Sequence, residues 1–316
     1  MHERSQKIKL LLLEDPFSKP HLNRKIKKHI FFLDKKKLDN KNTILVDAIY
    51  SRFKYNLNER YLKKFTNLKY ILTNVTGLDK LDLVYIKKKK IKIFSLKNQT
   101  RFLKKISSTA EFTFALILAL LRKIPSAHQS VILSKDNRYQ FVGENLRNKT
   151  LGIVGLGRNG KLISRYAKAF GMKIIYNDIK AKKKNFVSIK KLFRSSDIIS
   201  INVEFNQKTE KFINWNLLKN IKKSAFIVNT SRAEILDQKS IIKAINKKLL
   251  SGVALDFLEK NKNQYTKDSI KLINLAKKNK NIILTPHLGG ATKSSFNDTE
   301  KFVFENFNKY VQKKFH

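Results

Sequence analysis

The sequence predicts an α/β protein that contains two doubly wound parallel sheets. Short apolar segments alternate with amphipathic helices in the first third of the chain, and a second alternation begins near residue 151. Between them lies a long apolar helix at 109–121. Such alternation is typical of parallel sheets, because each parallel connection needs a crossover that is usually helical. We expect one domain from residues 1–122 plus 291–316 and a second domain from residues 123–290.

The individual strands are predicted from apolar runs bounded by polar or turn residues. The first sheet is expected to contain strands at 10–14, 43–47, 70–74 and 91–95, with helices such as 58–65 between them. A final helix at 294–311 is expected to cross back to the first domain. The second sheet is expected to contain six strands, at 151–154, 173–177, 198–202, 225–229, 252–255 and 282–285.

Composition excludes several classes of protein. The 316 residues contain no cysteine, so disulfides and cysteine-ligated metals are excluded, and the scattered histidines predict no metal site. The apolar run 112–121 is about half of the roughly 20 residues that a membrane span needs. We expect a cytoplasmic protein without a membrane segment. The net charge of +44 comes mainly from lysines spread along the whole chain, which favours a lysine-coated surface over a nucleic-acid-binding one.

The most specific motif lies at the start of the second alternation. An apolar strand runs into Gly155, Gly157 and Gly160 in the spacing Gly-x-Gly-x-x-Gly, and a helix follows. The next predicted strand ends immediately before Asp178. This arrangement is typical of dinucleotide sites: the glycines permit a tight turn and close packing, and the helix start faces the pyrophosphate. The acid accepts hydrogen bonds from the adenosine ribose, so the sequence predicts NAD rather than NADP, a preference that the lysines after Asp178 weaken.

Three further segments each follow a predicted strand of the second sheet. They are 228–232, which contains Arg232, 254–258, which contains Asp256, and 285–291, which contains His287. The carboxyl ends of parallel strands meet at one crevice, so we expect these three side chains to lie near one another. An arginine that binds a carboxylate and a histidine that moves a proton are suited to the reduction of a 2-oxo acid.

With these motifs together, the chain resembles the D-isomer-specific 2-hydroxyacid dehydrogenases, a family that includes D-3-phosphoglycerate dehydrogenase. Residues 74–79 resemble the family's substrate loop, and 108–111 resemble the start of its domain-crossing helix. The glycine motif, Asn-Thr-Ser-Arg at 229–232 and Thr-Pro-His-x-Gly-Gly at 285–290 occur in the family's order. The resemblance implies a flavodoxin-like substrate domain, a Rossmann NAD-binding domain and a homodimer.

The resemblance also implies roles for individual residues. Arg232 is implied to bind substrate and His287 to act as the acid/base, while Arg158 and Asn159 contact the pyrophosphate through their backbone. Val75, Thr76 and Gly77 are implied to hold the substrate carboxylate through their N–H groups. Arg52 is an additional candidate for a substrate phosphate or second carboxylate, with a surface basic pair as the alternative. The remaining implied cofactor contacts are Thr109, Thr230, Ser231, Asp256, Gly289 and Gly290.

Two positions depart from the family pattern. A glutamate that pairs with the catalytic histidine usually stands five residues after the acid, where this chain has Asn261. Glu259 could replace it if the loop is re-registered, and the proline that usually follows is Lys262 here. The second departure is Asn202-Val203-Glu204, where the family has His-Val-Pro along the adenine pocket.

We therefore expect an NAD-dependent oxidoreductase that interconverts a 2-oxo acid and a D-2-hydroxy acid, with D-3-phosphoglycerate as one candidate. The alternative is an NAD(H)-gated binding protein of the same fold without significant turnover, which the loss of the glutamate would explain.

Overall fold

The computed structural model describes residues 7–18, 29–34, 42–135, 137–180, 184–261, 264–278 and 281–315. The chain divides into two compact units: residues 1–106 with 292–316, and residues 107–291. Each unit has its own parallel sheet with helices, which confirms the predicted fold class. The helix at 108–121 belongs to the second unit, whereas the predicted first domain extended to residue 122. The reason is packing: Ile117 and Leu120 lie in one buried cluster with Leu151 and Ile163 of the second unit.

The strands of the first unit form one five-stranded sheet in the order β2-β1-β3-β4-β5. All its pairings are parallel, and the order reverses at β1, which pairs with both β2 and β3. Leu10 and Leu11 of β1 lie in different buried clusters, so both faces of the sheet are covered. The five strands are β1 (Ile8–Leu12), β2 (Ile30–Asp34), β3 (Ala48–Tyr50), β4 (Tyr70–Leu72) and β5 (Lys92–Phe94).

One strand of this sheet was predicted in the wrong place, and another was not predicted. The predicted strand at 43–47 is instead a 3₁₀ turn, Asn42–Leu45, followed by the strand Ala48–Tyr50. The apolar side chains of Ile44 and Leu45 point to solvent, and the fully buried positions come later. The strand Ile30–Asp34 was missed, because the lysines around it hide its apolar pattern.

The second unit contains a six-stranded parallel sheet and a two-stranded hairpin. The larger sheet has the order β13-β10-β9-β8-β6-β7, and the order reverses at β6, which pairs with β7 and β8. In doubly wound sheets, ligands bind at the carboxyl ends of the strands beside such a reversal. The strands are β6 (Thr150–Val154), β7 (Lys173–Asn177), β8 (Ile198–Ile201), β9 (Ala225–Asn229), β10 (Leu250–Leu255), β11 (Lys260–Asn261), β12 (Gln264–Tyr265) and β13 (Ile282–Leu284).

Helices connect these strands and cover both faces of each sheet. Within the described ranges, every helix is too short or too polar to traverse a membrane. In the first unit the helices are α1 (Glu59–Leu62), α2 (Leu83–Lys88), α3 (Thr100–Leu103) and, at the end of the chain, α11 (Lys293–Phe315). In the second unit they are α4 (Ser108–Leu121), α5 (Ile124–Ile132), α6 (Arg158–Ala169), α7 (Ile189–Ser195), α8 (Trp215–Leu218), α9 (Gln238–Asn246) and α10 (Lys267–Lys278).

Candidate active site

The glycine motif forms the tight connection between β6 and α6. Gly155 has φ +90°, a conformation that side-chain-bearing residues rarely adopt, and its N–H donates to the carbonyl of Asn177 at 2.8 Å. A Cβ added to Gly160 would overlap the carbonyl oxygen of Gly155, so only glycine lets the helix approach the turn this closely. The turn and packing roles predicted for these two glycines are confirmed.

The start of α6 has the properties of an anion site that fits a dinucleotide. Gly157 is the N-cap and no side chain caps the helix, so the first N–H groups of α6 are not consumed by a capping side chain. A Cβ at Gly157 would meet no atom within 4 Å, which leaves space in front of the helix. Oδ1 of Asn159 is buried and has no hydrogen-bond partner among the described residues. An uncapped helix start and an unused buried acceptor suit a pyrophosphate and its attached sugars.

Asp178 follows β7 and joins the turn to the neighbouring strand. One carboxylate oxygen accepts the N–H of Leu156 at 2.7 Å, and the other accepts the N–H of Lys180 at 2.7 Å. These bonds hold the half-buried carboxylate at the carboxyl edge of the sheet, beside the glycine turn. Of the lysines that were expected to weaken NAD preference, Lys182 and Lys183 lie outside the described residues.

The loop after β9 presents Arg232. Asn229, which is fully buried, accepts the N–H and hydroxyl of Ser231 with Oδ1 and donates from Nδ2 to the carbonyl of Arg232 at 2.8 Å. Next to it, Thr230 has its hydroxyl 2.7 Å from the hydroxyl of Thr113 on α4. The asparagine therefore fixes the backbone from which the arginine side chain extends.

The loop after β13 is organised around Asp256. This fully buried carboxylate accepts the Thr285 hydroxyl at 2.6 Å, the Leu288 N–H at 2.7 Å and the Gly289 N–H at 2.8 Å. Its carbonyl accepts the N–H of His287 at 2.8 Å, and His287 adopts φ 64°. Burial raises the pKa of Asp256, while the hydrogen bonds from Thr285, Leu288 and Gly289 oppose the rise. Asp256 thus holds an unfavourable histidine backbone conformation in place.

The other predicted cofactor contacts in this region differ in exposure. Gly289 is buried: a Cβ there would lie 3.1 Å from the carboxylate of Asp256 and 3.4 Å from Thr109. A Cβ on Gly290 would meet nothing within 4 Å. Thr109, at the start of α4, is half-buried, so α4 and the loop after β13 meet at Gly289.

One aromatic ring joins the two residues expected to act on substrate. The guanidinium carbon of Arg232 lies over the ring of Phe257, 5.2 Å from its centroid. The imidazole ring of His287 is 4.0 Å from the same ring, at an interplanar angle of 48°. The structure therefore brings Arg232 and His287 together, at the carboxyl ends of three strands.

Two residues were candidates for the carboxylate position beside His287. Asn261 is exposed in the hairpin of β11 and β12, paired with Gln264. Burial raises the pKa of Glu259 and nearby Glu234 raises it further, whereas Lys211 opposes the rise. The surroundings of Glu259 are thus acidic, and the assignment to either residue stays a prediction.

The predicted substrate loop lies in the first unit, directly after β4. The backbone N–H groups of Val75, Thr76 and Gly77 have no hydrogen-bond acceptor among the described residues. The carbonyl of Val75 accepts the N–H of Leu96 at 3.2 Å, which anchors the loop to the segment after β5. Three successive donors of this kind are suited to an anion.

Arg52, also in the first unit, is engaged by its own surroundings. One guanidinium nitrogen donates to the buried carboxylate of Glu300 and to the carbonyl of Asp15, both at 2.9 Å. The guanidinium carbon also lies 4.8 Å from the ring centroid of Phe17 and 5.7 Å from that of Phe296. A substrate anion at this arginine would therefore compete with Glu300.

Three residues that contact the candidate site residues were not predicted from the sequence: Phe257, Thr113 and Thr285. Their contacts join segments far apart in the chain, so no local pattern identifies them. The only available signal was the position of Phe257 and Thr285 at strand ends that already carried candidate residues.

Comparisons with known proteins agree with this geometry. The family model of the NAD binding domain of D-isomer specific 2-hydroxyacid dehydrogenases matches residues 114–289. Glyoxylate reductase of Thermococcus litoralis is 30% identical over 275 residues, which cover 83% of this chain and 79% of that protein. D-3-phosphoglycerate dehydrogenase of Bacillus subtilis is 32% identical over 256 residues, 79% of this chain and 46% of that protein. The structure of D-lactate dehydrogenase from Aquifex aeolicus, complexed with NAD and lactic acid, is similar with a TM-score of 0.79 and 25% identity, covering 96% and 94% of the two chains.

Proposed function

The chain belongs to the D-isomer specific 2-hydroxyacid dehydrogenase family of NAD-dependent oxidoreductases, and from this premise we propose which residues perform the reaction. The proposed reaction interconverts a small 2-oxo acid and the corresponding D-2-hydroxy acid. The observation that carries this proposal is the joint contact of Arg232 and His287 with one ring at the carboxyl edge of the NAD-binding domain's sheet.

The proposed cofactor site is built on the start of α6. NAD(H), when bound, supplies or accepts the hydride. The N–H groups of Arg158 and Asn159 would hold its pyrophosphate, and the carboxylate of Asp178 would accept hydrogen bonds from the adenosine ribose. Burial lowers the pKa of the Arg158 guanidinium, which nevertheless stays charged at neutral pH. The other proposed contacts are Gly155, Gly157, Gly160, Thr109, Thr230, Ser231, Gly289 and Gly290, with Asp256 acting through the loop that it holds.

Arg232 and His287 are proposed to act on the substrate. The guanidinium of Arg232 binds the substrate carboxylate and polarises the carbonyl oxygen, because a fixed cation stabilises negative charge that develops on oxygen. The imidazolium of His287 donates its proton to that oxygen during reduction and takes it back during oxidation. Asn261 is proposed at the position of the family's glutamate, with Glu259 as the alternative.

The first unit is proposed to supply substrate contacts through the N–H groups of Val75, Thr76 and Gly77. Arg52 remains a candidate for a second anionic group, but its bond to Glu300 favours substrates without one. A small 2-oxo acid is therefore the favoured substrate, and D-3-phosphoglycerate is the alternative that a substrate panel separates.

A binding protein that responds to NAD(H) without turnover is the competing proposal. Its support is that Asn261, at the position of the family's glutamate, is uncharged and exposed. The two proposals differ in one result: both bind NADH, but only an enzyme oxidises it in the presence of a 2-oxo acid.

Arg232→Ala tests the proposed chemistry. We expect it to lower kcat/KM strongly, by an amount on the order of 2–4 kcal/mol in transition-state stabilisation, with NADH affinity nearly unchanged. The matched control is Arg165→Ala, which removes an exposed arginine from α6. If both variants keep the activity of the unmodified protein, Arg232 has no role in the reaction.

A homodimer is proposed on the basis of an exposed apolar surface of the second unit. Val131, Ile132 and Leu133 at the end of α5 are 63%, 61% and 56% exposed, and Tyr139 and Val142 nearby are 74% and 68% exposed. Neighbouring apolar side chains of this exposure mark interfaces, and a second copy of the chain is the occupant that we propose. Sedimentation should show a dimer that Val131→Asp weakens, and a monomeric unmodified protein would refute this proposal.

The cytoplasmic location remains a prediction.

A further inference from the structure

Phe257 has no role in the reaction described above, yet it touches both residues that are proposed to perform it. It is half-buried and directly follows the buried Asp256. The Arg232 guanidinium carbon lies 5.2 Å from its ring centroid, in the range of a cation–π contact. The His287 imidazole lies 4.0 Å from the same centroid.

The backbone of Asp256, directly before Phe257, is tied to both neighbouring loops. The N–H of the preceding Asp256 donates to the carbonyl of Asn229 at 2.9 Å, which connects it to the loop of Arg232. The carbonyl of Asp256 accepts the N–H of His287 at 2.8 Å, which connects it to the other loop. The Phe257 ring thus projects from a segment whose backbone is bonded to the two loops that carry Arg232 and His287.

An aromatic ring can orient these two groups in a way that an aliphatic side chain cannot. The ring face carries negative charge density, which attracts the planar guanidinium and an imidazolium. Arginine and histidine side chains otherwise rotate among several conformations, and a reaction loses rate when its groups are misplaced by about 1 Å. The ring therefore limits the conformations of both groups before substrate arrives.

We infer that Phe257 is a positioning residue that holds the Arg232 guanidinium and the His287 imidazole in their working arrangement. The consequence for the reaction rests on the proposed function, but the arrangement itself does not. Phe257 contacts neither substrate nor cofactor in this account and acts only through its two neighbours.

The variants Phe257→Leu and Phe257→Tyr separate positioning from space filling. Leucine fills much of the volume but has no ring, whereas tyrosine keeps the ring. The control is Phe170→Leu, which removes an aromatic contact with Phe114. Phe170 caps the carboxyl end of α6, so it lies at the edge of the sheet opposite the candidate site.

The first measurement is NMR of the histidine imidazole protons, with the His287 signals assigned by comparison with a His287→Gln variant. A ring 4.0 Å away shifts these signals through its ring current. We expect Phe257→Leu to remove the shift, and Phe257→Tyr and Phe170→Leu to keep it. If Phe257→Leu leaves the signals unchanged, the inference is overturned, whether or not the protein is an active dehydrogenase.

The second measurement is steady-state kinetics with the best 2-oxo acid. We expect Phe257→Leu to lower kcat/KM by about threefold to thirtyfold, the range of a cation–π contact, without changing NADH affinity or the thermal midpoint beyond the control. Phe257→Tyr should restore most of kcat/KM. If the leucine variant keeps full kcat/KM, or the tyrosine variant fails to restore it, the positioning role is refuted. Absence of turnover in the unmodified protein would instead refute the proposed function, and the NMR result would then decide the inference.

Discussion

Asp256→Asn is expected to destabilise the second unit and to loosen the loop of His287. The variant keeps one oxygen but places an amide donor against groups that also donate, from Thr285, Leu288 and Gly289. The carboxyl offers two acceptor oxygens to these donors in either protonation state, whereas the amide offers one, and a buried donor that loses its acceptor costs about 1–3 kcal/mol. We therefore expect a net loss of about 2–4 kcal/mol in the free energy of unfolding. The expected functional effect is a lower kcat, because the left-handed backbone of His287 loses its support.

The assay is urea unfolding followed by the fluorescence of Trp215, the only tryptophan, which lies in the second unit. Burial raises the pKa of Asp256 above its ordinary value of 3.8, so its contribution to stability is complete below that pH and is lost as the pH rises through the folded-state pKa. The deficit of Asp256→Asn should therefore be largest in acid and shrink as the pH rises.

Asp197→Asn is the matched control, because the sign of its pH dependence is opposite. Burial raises the pKa of Asp197, but bonds from Lys222 and the Thr150 N–H outweigh that and lower it overall. Its deficit should be complete above pH 3.8 and should be lost as the pH falls through the lowered folded-state pKa. A deficit of Asp256→Asn that also grows with pH, or one below about 1 kcal/mol, would refute the argument that burial dominates at this carboxylate.

Three further predictions concern the cofactor turn and the histidine partner. In equilibrium binding, the unmodified protein should prefer NADH to NADPH, and Asp178→Ala should narrow that preference. Equal affinities of the unmodified protein for the two cofactors would refute the role of Asp178 at the ribose. Gly160→Ala should lower the free energy of unfolding by about 1–3 kcal/mol, because the added Cβ would overlap a backbone carbonyl. Gly157→Ala should leave stability unchanged, because no atom lies within 4 Å of the added Cβ, but it should weaken NADH binding. Asn261→Glu should move the falling limb of the pH profile of reduction to higher pH, because a nearby anion favours the imidazolium, while Glu259→Gln should do little. The reverse pattern would identify Glu259 as the partner.

The second sheet was the more predictable part of the fold. Its strands are continuous apolar runs, since parallel strands buried on both faces carry little polar interruption. The glycine turn was predictable as well, because Gly155 and Gly160 occupy positions where backbone geometry allows little else. In the first sheet, lysines around 30–34 obscure the strand, and the apolar Ile44 and Leu45 face solvent.

The candidate site was predictable only in one respect: residues that follow parallel strands lie at the same edge of the sheet. The approach of Arg232 and His287 followed from the parallel topology. The ring contact of Phe257 did not, because it depends on side-chain directions across three loops. The bonds of Asp256 also did not follow, since the family resemblance implied a cofactor contact there and gave no sign that the carboxylate binds the loop after β13.

The transfer of deuterium from reduced cofactor to substrate tests the central claim most directly. The protein is incubated with 4-deuterated NADH and a panel of 2-oxo acids, and the product is analysed for deuterium at C2 and for configuration. We expect at least one 2-oxo acid to yield the D-2-hydroxy acid labelled at C2, with loss of this product in His287→Ala although NADH still binds. NADH binding without labelled product from any acid of the panel, or product of L configuration, would contradict the account.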